Sequence, residues 1–151
     1  MLAYLSGSIE FAQEYGKGWR RELKPWLEQT LGHRVYDPAE DEKKNLSDDE
    51  VAHFRAWKTA DPERFRRTVR KIIDWDMDFI EKQADYVICF WDRHSACTTA
   101  ELTAAYRRGI QVYLVTALPR DEISGWVLGC VDSVFASFEE LKQFLRGKYA
   151  T

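Results

Sequence analysis

No stretch of the chain stays apolar for the roughly 18 to 20 residues that a membrane-spanning helix needs, and the first residues carry no basic leader region or cleavage site. A soluble, cytoplasmic protein is the expectation. Cysteine and histidine are scarce, with Cys89, Cys97, Cys130 and His33, His53, His94 scattered along the sequence. An odd cysteine count without close pairs argues against a disulfide framework, and no His or Cys spacing resembles a metal clip, so no metal site is expected. An excess of charge of one sign is also missing. With 22 Lys plus Arg against 25 Asp plus Glu, the net charge of −3 gives no general attraction to nucleic acid or to an anionic membrane. Internal repeats and low-complexity segments are absent as well. What is present is one core's worth of material: 151 residues, 45% of them hydrophobic, read as a single domain spanning the whole chain. Six tryptophans are more than such a core usually needs, and most are expected as buried anchors.

The pattern alternates between strands and helices. An apolar strand, Leu2 to Leu5, runs into Ser6-Gly7-Ser8; a helix follows from about Gly18 to Leu31, closed by Gly32. His33 to Tyr36 reads as a second strand stopped by Asp37-Pro38. Residues Ala39 to Asp49 carry seven charges in eleven positions and read as an exposed excursion able to serve as a lid, with Ser47 capping a helix through Trp57. Asp61-Pro62-Glu63 starts a helix to about Gln83, basic in its first half (Arg64, Arg66, Arg67, Arg70, Lys71) and acidic at Asp74, Asp76 and Asp78. The basic run reads as a solvated face. Strand Tyr86 to Trp91, helix Thr98 to Arg108, the turn at Gly109 and strand Val112 to Val115 form a βαβ unit. A short helix around Ile123 to Leu128, a strand Ser133 to Phe135, and a terminal helix capped by Ser137 and ending near Arg146-Gly147 complete the chain. The expected fold is α/β and flavodoxin-like, three layers around a parallel sheet of about five strands in the order 2-1-3-4-5.

Two strand ends in such a sheet share one crevice. The first contributes Ser6-Gly7-Ser8, small residues whose backbone permits close approach of a ligand. The other contributes Cys97-Thr98-Thr99-Ala100-Glu101-Leu102, with a carboxylate at what reads as a helix start. On its own, Glu101 reads rather as an acid in a helix's first turn, stabilised by the dipole.

Taken together, Tyr4-Leu5-Ser6-Gly7-Ser8-Ile9, the acidic helix around Asp76, the strand after Asp85 and the Cys97 to Glu101 segment resemble the nucleoside 2-deoxyribosyltransferase family, over most of the chain. That family includes enzymes that move deoxyribose between bases and relatives that hydrolyse the base off a nucleoside 5′-monophosphate. The resemblance implies that Glu101 is the nucleophile, Tyr4 the tyrosine that contacts it, and Asp76 the acid that handles the leaving base. Asp74 or Asp78 takes that role if the register differs. It further implies substrate contacts at Ser6, Gly7, Ser8, Asp92, Ser95 and Thr98, no metal or organic cofactor, and a homo-oligomer in which a neighbour completes the pocket near Asp132-Ser133. The expected partners are a small nucleoside or nucleotide and a free base, with no nucleic acid polymer and no membrane.

Some residues depart from the family pattern. Cys97 stands where glycine is frequent and is expected as a small buried hydrophobe rather than a reactive thiol. Glu10 stands where phosphate-binding members carry arginine, whereas the sixteen-residue step from Asp85 to Glu101 and the position of Ser95 match the monophosphate hydrolases. Asp92 could instead hold a free 5′-hydroxyl. Trp19, Arg20, Asp37 and Trp91 lie near the strand ends and are expected to be structural more than base-orienting. Transfer, hydrolysis and a non-catalytic nucleotide-binding module all remain compatible with the sequence.

Overall fold

The computed structural model describes residues 1–150. Five strands, β1 (Leu2–Gly7), β2 (Arg34–Tyr36), β3 (Tyr86–Phe90), β4 (Gln111–Val115) and β5 (Ser133–Phe135), form one parallel sheet in the order β2-β1-β3-β4-β5. Six α-helices connect them: α1 (Lys17–Leu31), α2 (Asp48–Ala60), α3 (Pro62–Gln83), α4 (Ala96–Arg107), α5 (Gly125–Cys130) and α6 (Phe138–Tyr149).

The strands are near-continuous apolar runs because both faces of the sheet are covered. Ala3, Leu5, Tyr86, Ile88, Tyr113 and Val115 pack with Leu23 and Leu27 of α1 and Leu141 and Leu145 of α6. Leu2, Tyr4, Val87, Cys89, Val112 and Leu114 face the opposite way, against Ile80 of α3, Leu102 and Ala105 of α4, and Val127 of α5. Tyr4 and Ser6 therefore point to the same side of the sheet as Glu101. Matching aspartates fix the strand starts: Asp85 Oδ2 accepts from Leu2 N at 2.6 Å and Asp132 Oδ2 from Val112 N at 2.7 Å.

The element boundaries differ from the sequence reading in informative places. Strand β1 runs two residues further, to Gly7, and β3 stops at Phe90, so Trp91 leaves the sheet. Helix α4 begins at Ala96 because Ser95 Oγ accepts from Thr98 N at 3.3 Å, which puts Glu101 in the second turn rather than at the helix start. The dipole reading of Glu101 weakens accordingly, since that effect fades beyond the first turn. Helix α5 starts at Gly125, after a buried Ile123, and reaches Cys130. Helix α6 continues through Gly147 to Tyr149, whose ring stacks on Tyr86 at 5.3 Å and whose hydroxyl meets Tyr113 Oη at 2.8 Å. Tertiary packing there overrides glycine's weak helix propensity.

The excursion after β2 is the largest departure. It is not a uniformly exposed lid: Ala39 and Leu46 are buried, and Lys44 turns inward. Ser47 does cap α2, in a reciprocal capping box with Glu50. The basic run of α3 is largely paired, Arg64 with Asp49 and Lys71 with Glu50 of α2, Arg66 with Glu63.

The loop from β1 to α1 is held by sterics. Gly16 has φ +69°, and a Cβ there would lie 2.3 Å from Ser8 O and 2.6 Å from Arg20 Nη1. Both the backbone region and the space exclude a side chain. Gly16→Ala is expected to cost about 2 kcal/mol or more of stability; a urea melt in which the midpoint does not fall would contradict this account of the loop.

Candidate active site

Glu101 enters the site from α4, Tyr4 from β1, Asp76 from the middle of α3 and Tyr36 from β2. Glu101 is only 6% exposed and Tyr4 is fully buried. Two buried polar atoms here lack a partner, Glu101 Oε2 and Tyr4 Oη, and the hydroxyl of Ser6, two residues further along β1, is also unpartnered. Tyr4 and Glu101 lie close enough for each to move the other's proton affinity, without a well-formed hydrogen bond between them. Buried polar groups are nearly always satisfied in a finished interior. Glu101 Oε2 and Tyr4 Oη, left unsatisfied beside each other on one face of a parallel sheet, mark the candidate site.

Burial dominates the electrostatics. It pushes the Glu101 carboxyl up to about 8, with the nearby Asp76 adding to the rise and Tyr4, Arg20 and Lys44 opposing it. Tyr4 is raised well above its ordinary range by burial and by the negative charge of Glu101 and Asp76. Asp76 is also raised by burial, against the pull of Lys44.

Asp76 sits inward, its side chain 16% exposed, while Asp74 and Asp78 lie on the exposed side of α3, Asp78 paired with Lys82 at 3.0 Å. Asp74 and Asp78 line a separate cleft of about 250 Å³ that includes neither Glu101 nor Tyr4. The partners of Asp76 were not legible in sequence. Lys44 Nζ donates to Asp76 Oδ1 at 2.7 Å, to Tyr36 Oη at 3.3 Å and to Pro38 O at 3.2 Å. Tyr36 Oη gives its one proton to Asp41 Oδ2 at 2.9 Å and accepts from Trp75 Nε1 at 3.0 Å. The Tyr36 ring lies 5.5 Å from that of Tyr4 and stacks on Phe79 at 3.7 Å.

The remaining sequence candidates divide. Gly7 is at the end of β1, where a Cβ would come within 3.1 Å of both Phe90 O and Trp19, and Ser8 opens the loop beyond it. Thr98 is buried and donates its hydroxyl to Ser95 Oγ at 2.9 Å, so both hydroxyls already serve the start of α4. Asp92 is exposed and loosely paired with Arg93 at 3.4 Å. Arg93, unremarked in sequence, donates to Phe11 O at 2.7 Å and ties the β3–α4 loop to the β1–α1 loop. Glu10 is taken up by Lys58 of α2.

Cys97 is a correction: it is exposed rather than buried. It occupies the second position of α4, where Ala96 and Cys97 are exposed and Thr98 is the residue of the first turn that enters the core. Its thiol is nevertheless held above the ordinary range by partial desolvation and by the negative charge of Glu101 and Glu10, which disfavours a reactive thiolate. Trp19, Arg20, Asp37 and Trp91 are packed into the interior: Trp19 stacks on Phe138 at 5.6 Å, Trp91 is 2% exposed, and Arg20 meets Asp37 at 3.3 Å. Among the described residues no cluster of three or more His, Cys, Asp or Glu side chains is arranged to hold a metal ion, and no helix is long and apolar enough to cross a membrane.

No protein-family model and no curated protein sequence matches the chain. Solved structures do. A 2-deoxyribosyltransferase from Bacillus psychrosaccharolyticus shares the fold with a TM-score of 0.58 at 20% identity, over 94% of this chain and 90% of that one. The CMP N-glycosidase BcmB of Clostridium botulinum gives 0.57 at 19% identity, over 96% and 98%. A conserved protein from Enterococcus faecalis V583 gives 0.61 at 16% identity, over 98% of both chains. The fold, across nearly its whole length, is the one those proteins use.

Proposed function

We propose that this protein cleaves the N-glycosidic bond of a 2′-deoxynucleoside and transfers the sugar to another base through a covalent intermediate on Glu101. The observation that carries the reading is the buried, unpartnered Glu101 Oε2 beside the unpartnered hydroxyl of Tyr4 in β1. The similarity of fold to a 2-deoxyribosyltransferase and to a CMP N-glycosidase supports it.

The chemistry follows from the arrangement. As the C1′–N bond breaks, its electron pair leaves with the base and positive charge builds on the sugar. A Glu101 oxygen closes on C1′ and traps the sugar as a glycosyl ester, while the Tyr4 hydroxyl fixes the carboxylate's orientation. The departing base takes up a proton from the Asp76 carboxyl or from a water it orients. A ring nitrogen of a second base then attacks C1′ and gives its N–H proton back to Asp76 or to the water it orients, the ester bond breaks to free the Glu101 carboxylate, and configuration is retained.

A second reading, hydrolysis of a deoxynucleoside 5′-monophosphate, is favoured by Arg93 and Ser95 at the N-terminus of α4, where backbone N–H groups and a guanidinium suit a phosphate. Water then replaces the second base. The test is incubation with deoxynucleosides, deoxynucleoside monophosphates and free bases, with products resolved by mass spectrometry. New nucleosides are the expected result; free base from monophosphates alone would establish hydrolysis, and no product from any substrate would leave a binding module.

A further inference from the structure

Lys44 lies at the centre of the site's charge balance, although the excursion that carries it contains no recognisable motif. Its side chain is only 7% exposed, unusual for a lysine. The backbone at Lys44 is left-handed, with φ +44°, a conformation that costs a non-glycine residue on the order of 1 kcal/mol or more and persists where surrounding structure enforces it. The enforcement is visible: Lys44 N donates to Asp41 Oδ1 at 3.2 Å, and the buried Leu46 two residues on anchors the segment. The strained turn delivers the ammonium to Asp76 Oδ1 at 2.7 Å, and the Tyr36 hydroxyl backs it at 3.3 Å. Asp76 Oδ2 is left free of these partners.

The groups that face this pair come from every neighbouring element. Asp41 and Tyr36 flank Lys44; Glu101 of α4 and Tyr4 of β1 face Asp76, with Cys97 at the start of α4. Two carboxylates thus share a poorly hydrated site, and each makes the other harder to ionise. A fixed cation bonded to Asp76 relieves that conflict. We propose that Lys44 is a positioning residue of the reaction, holding Asp76 toward the departing base and supplying the positive charge beside which Glu101 becomes a nucleophile. The inference rests on the glycosidic reading of the site.

The experiment measures base release against pH, from about pH 5 to 9, for the wild-type protein, Lys44→Met, Lys44→Gln and Lys44→Arg. Loss of the cation should move the acid limb of kcat/KM upward by about one pH unit and lower turnover at neutral pH about tenfold, with KM changed far less. Lys44→Gln keeps a hydrogen-bond donor to Asp76 without the charge and should behave like Lys44→Met, which also guards against a methionine variant that fails to fold. Lys44→Arg should restore most of the wild-type profile. Wild-type turnover with an unmoved limb in both neutral variants would overturn the role of Lys44 alone. Absence of turnover in the wild-type protein would overturn the glycosidic reading and the role of Lys44 with it.

Discussion

Glu101→Gln should lose turnover by three orders of magnitude or more and, at the same time, make the fold more stable. Loss of activity follows because an amide cannot form the glycosyl ester on which both half-reactions depend. The gain in stability follows from the carboxyl's surroundings. Burial raises its pKa from the ordinary 4.5 to about 8, so the unfolded chain ionises this group at a lower pH than the folded one. For an acid raised in this way, folding is penalised as pH rises above the unfolded value, and the penalty stops growing only above the folded value. At pH 7 it is on the order of 3 kcal/mol, which glutamine removes apart from the need to pair its amide with the Tyr4 hydroxyl. The increase in melting temperature should therefore be small at pH 5 and large at pH 8. Equal changes at both would mean that the carboxylate is not the source of the cost.

The same pKa sets the rate profile. A nucleophilic carboxylate must be ionised, so kcat/KM should climb with pH, be half-maximal near pH 8 and level off above about pH 9, falling about tenfold per unit on the acid side. A profile flat from pH 5 upward would show that substrate binding ionises Glu101 before chemistry, or that another group attacks.

The sheet order, the helices α1 and α3, and the cap at Ser47 were legible because each rests on local signals: continuous apolar runs, glycine and proline punctuation, and short polar side chains that bond their own backbone. Glu101 was a candidate from its place after a buried strand, its pairing with Tyr4 was implied only by the resemblance, and the structure sets the two side chains beside each other. Lys44 and Tyr36 were not legible at all, because their meaning depends on a strained turn after β2 that folds back over α3. Charge density suggested exposure for that segment, and two buried apolar residues, Ala39 and Leu46, overruled it. The position of Cys97 failed for a related reason: its burial depended on where α4 begins, a boundary set by the Ser95 cap.

Arg20→Met should be the most destabilising single substitution outside the apolar core, at about 3 to 5 kcal/mol. The side chain is fully buried and bridges both ends of the β1–α1 loop, donating through Nη1 to Gly16 O at 2.7 Å and through Nη2 to Gly7 O at 3.1 Å. Its Nε lies 3.3 Å from Asp37 Oδ1, which also accepts from Ala39 N at 2.9 Å. Methionine fills similar volume, yet it leaves two interior carbonyls without donors and the Asp37 carboxylate, 8% exposed, without a countercharge. Lysine should rescue little, since one ammonium cannot reach three acceptors set by a planar fork. The partner variant separates charge from packing: Arg20→Met with Asp37→Asn removes the stranded anion and should recover 1 to 2 kcal/mol, roughly, of the loss in a double-mutant cycle. Additive losses would mean that Arg20 acts through the loop carbonyls alone. In either case Ser6, Gly7 and Ser8 lose the brace that holds them at the end of β1, and turnover should fall further than melting alone explains at temperatures where the variant is still folded.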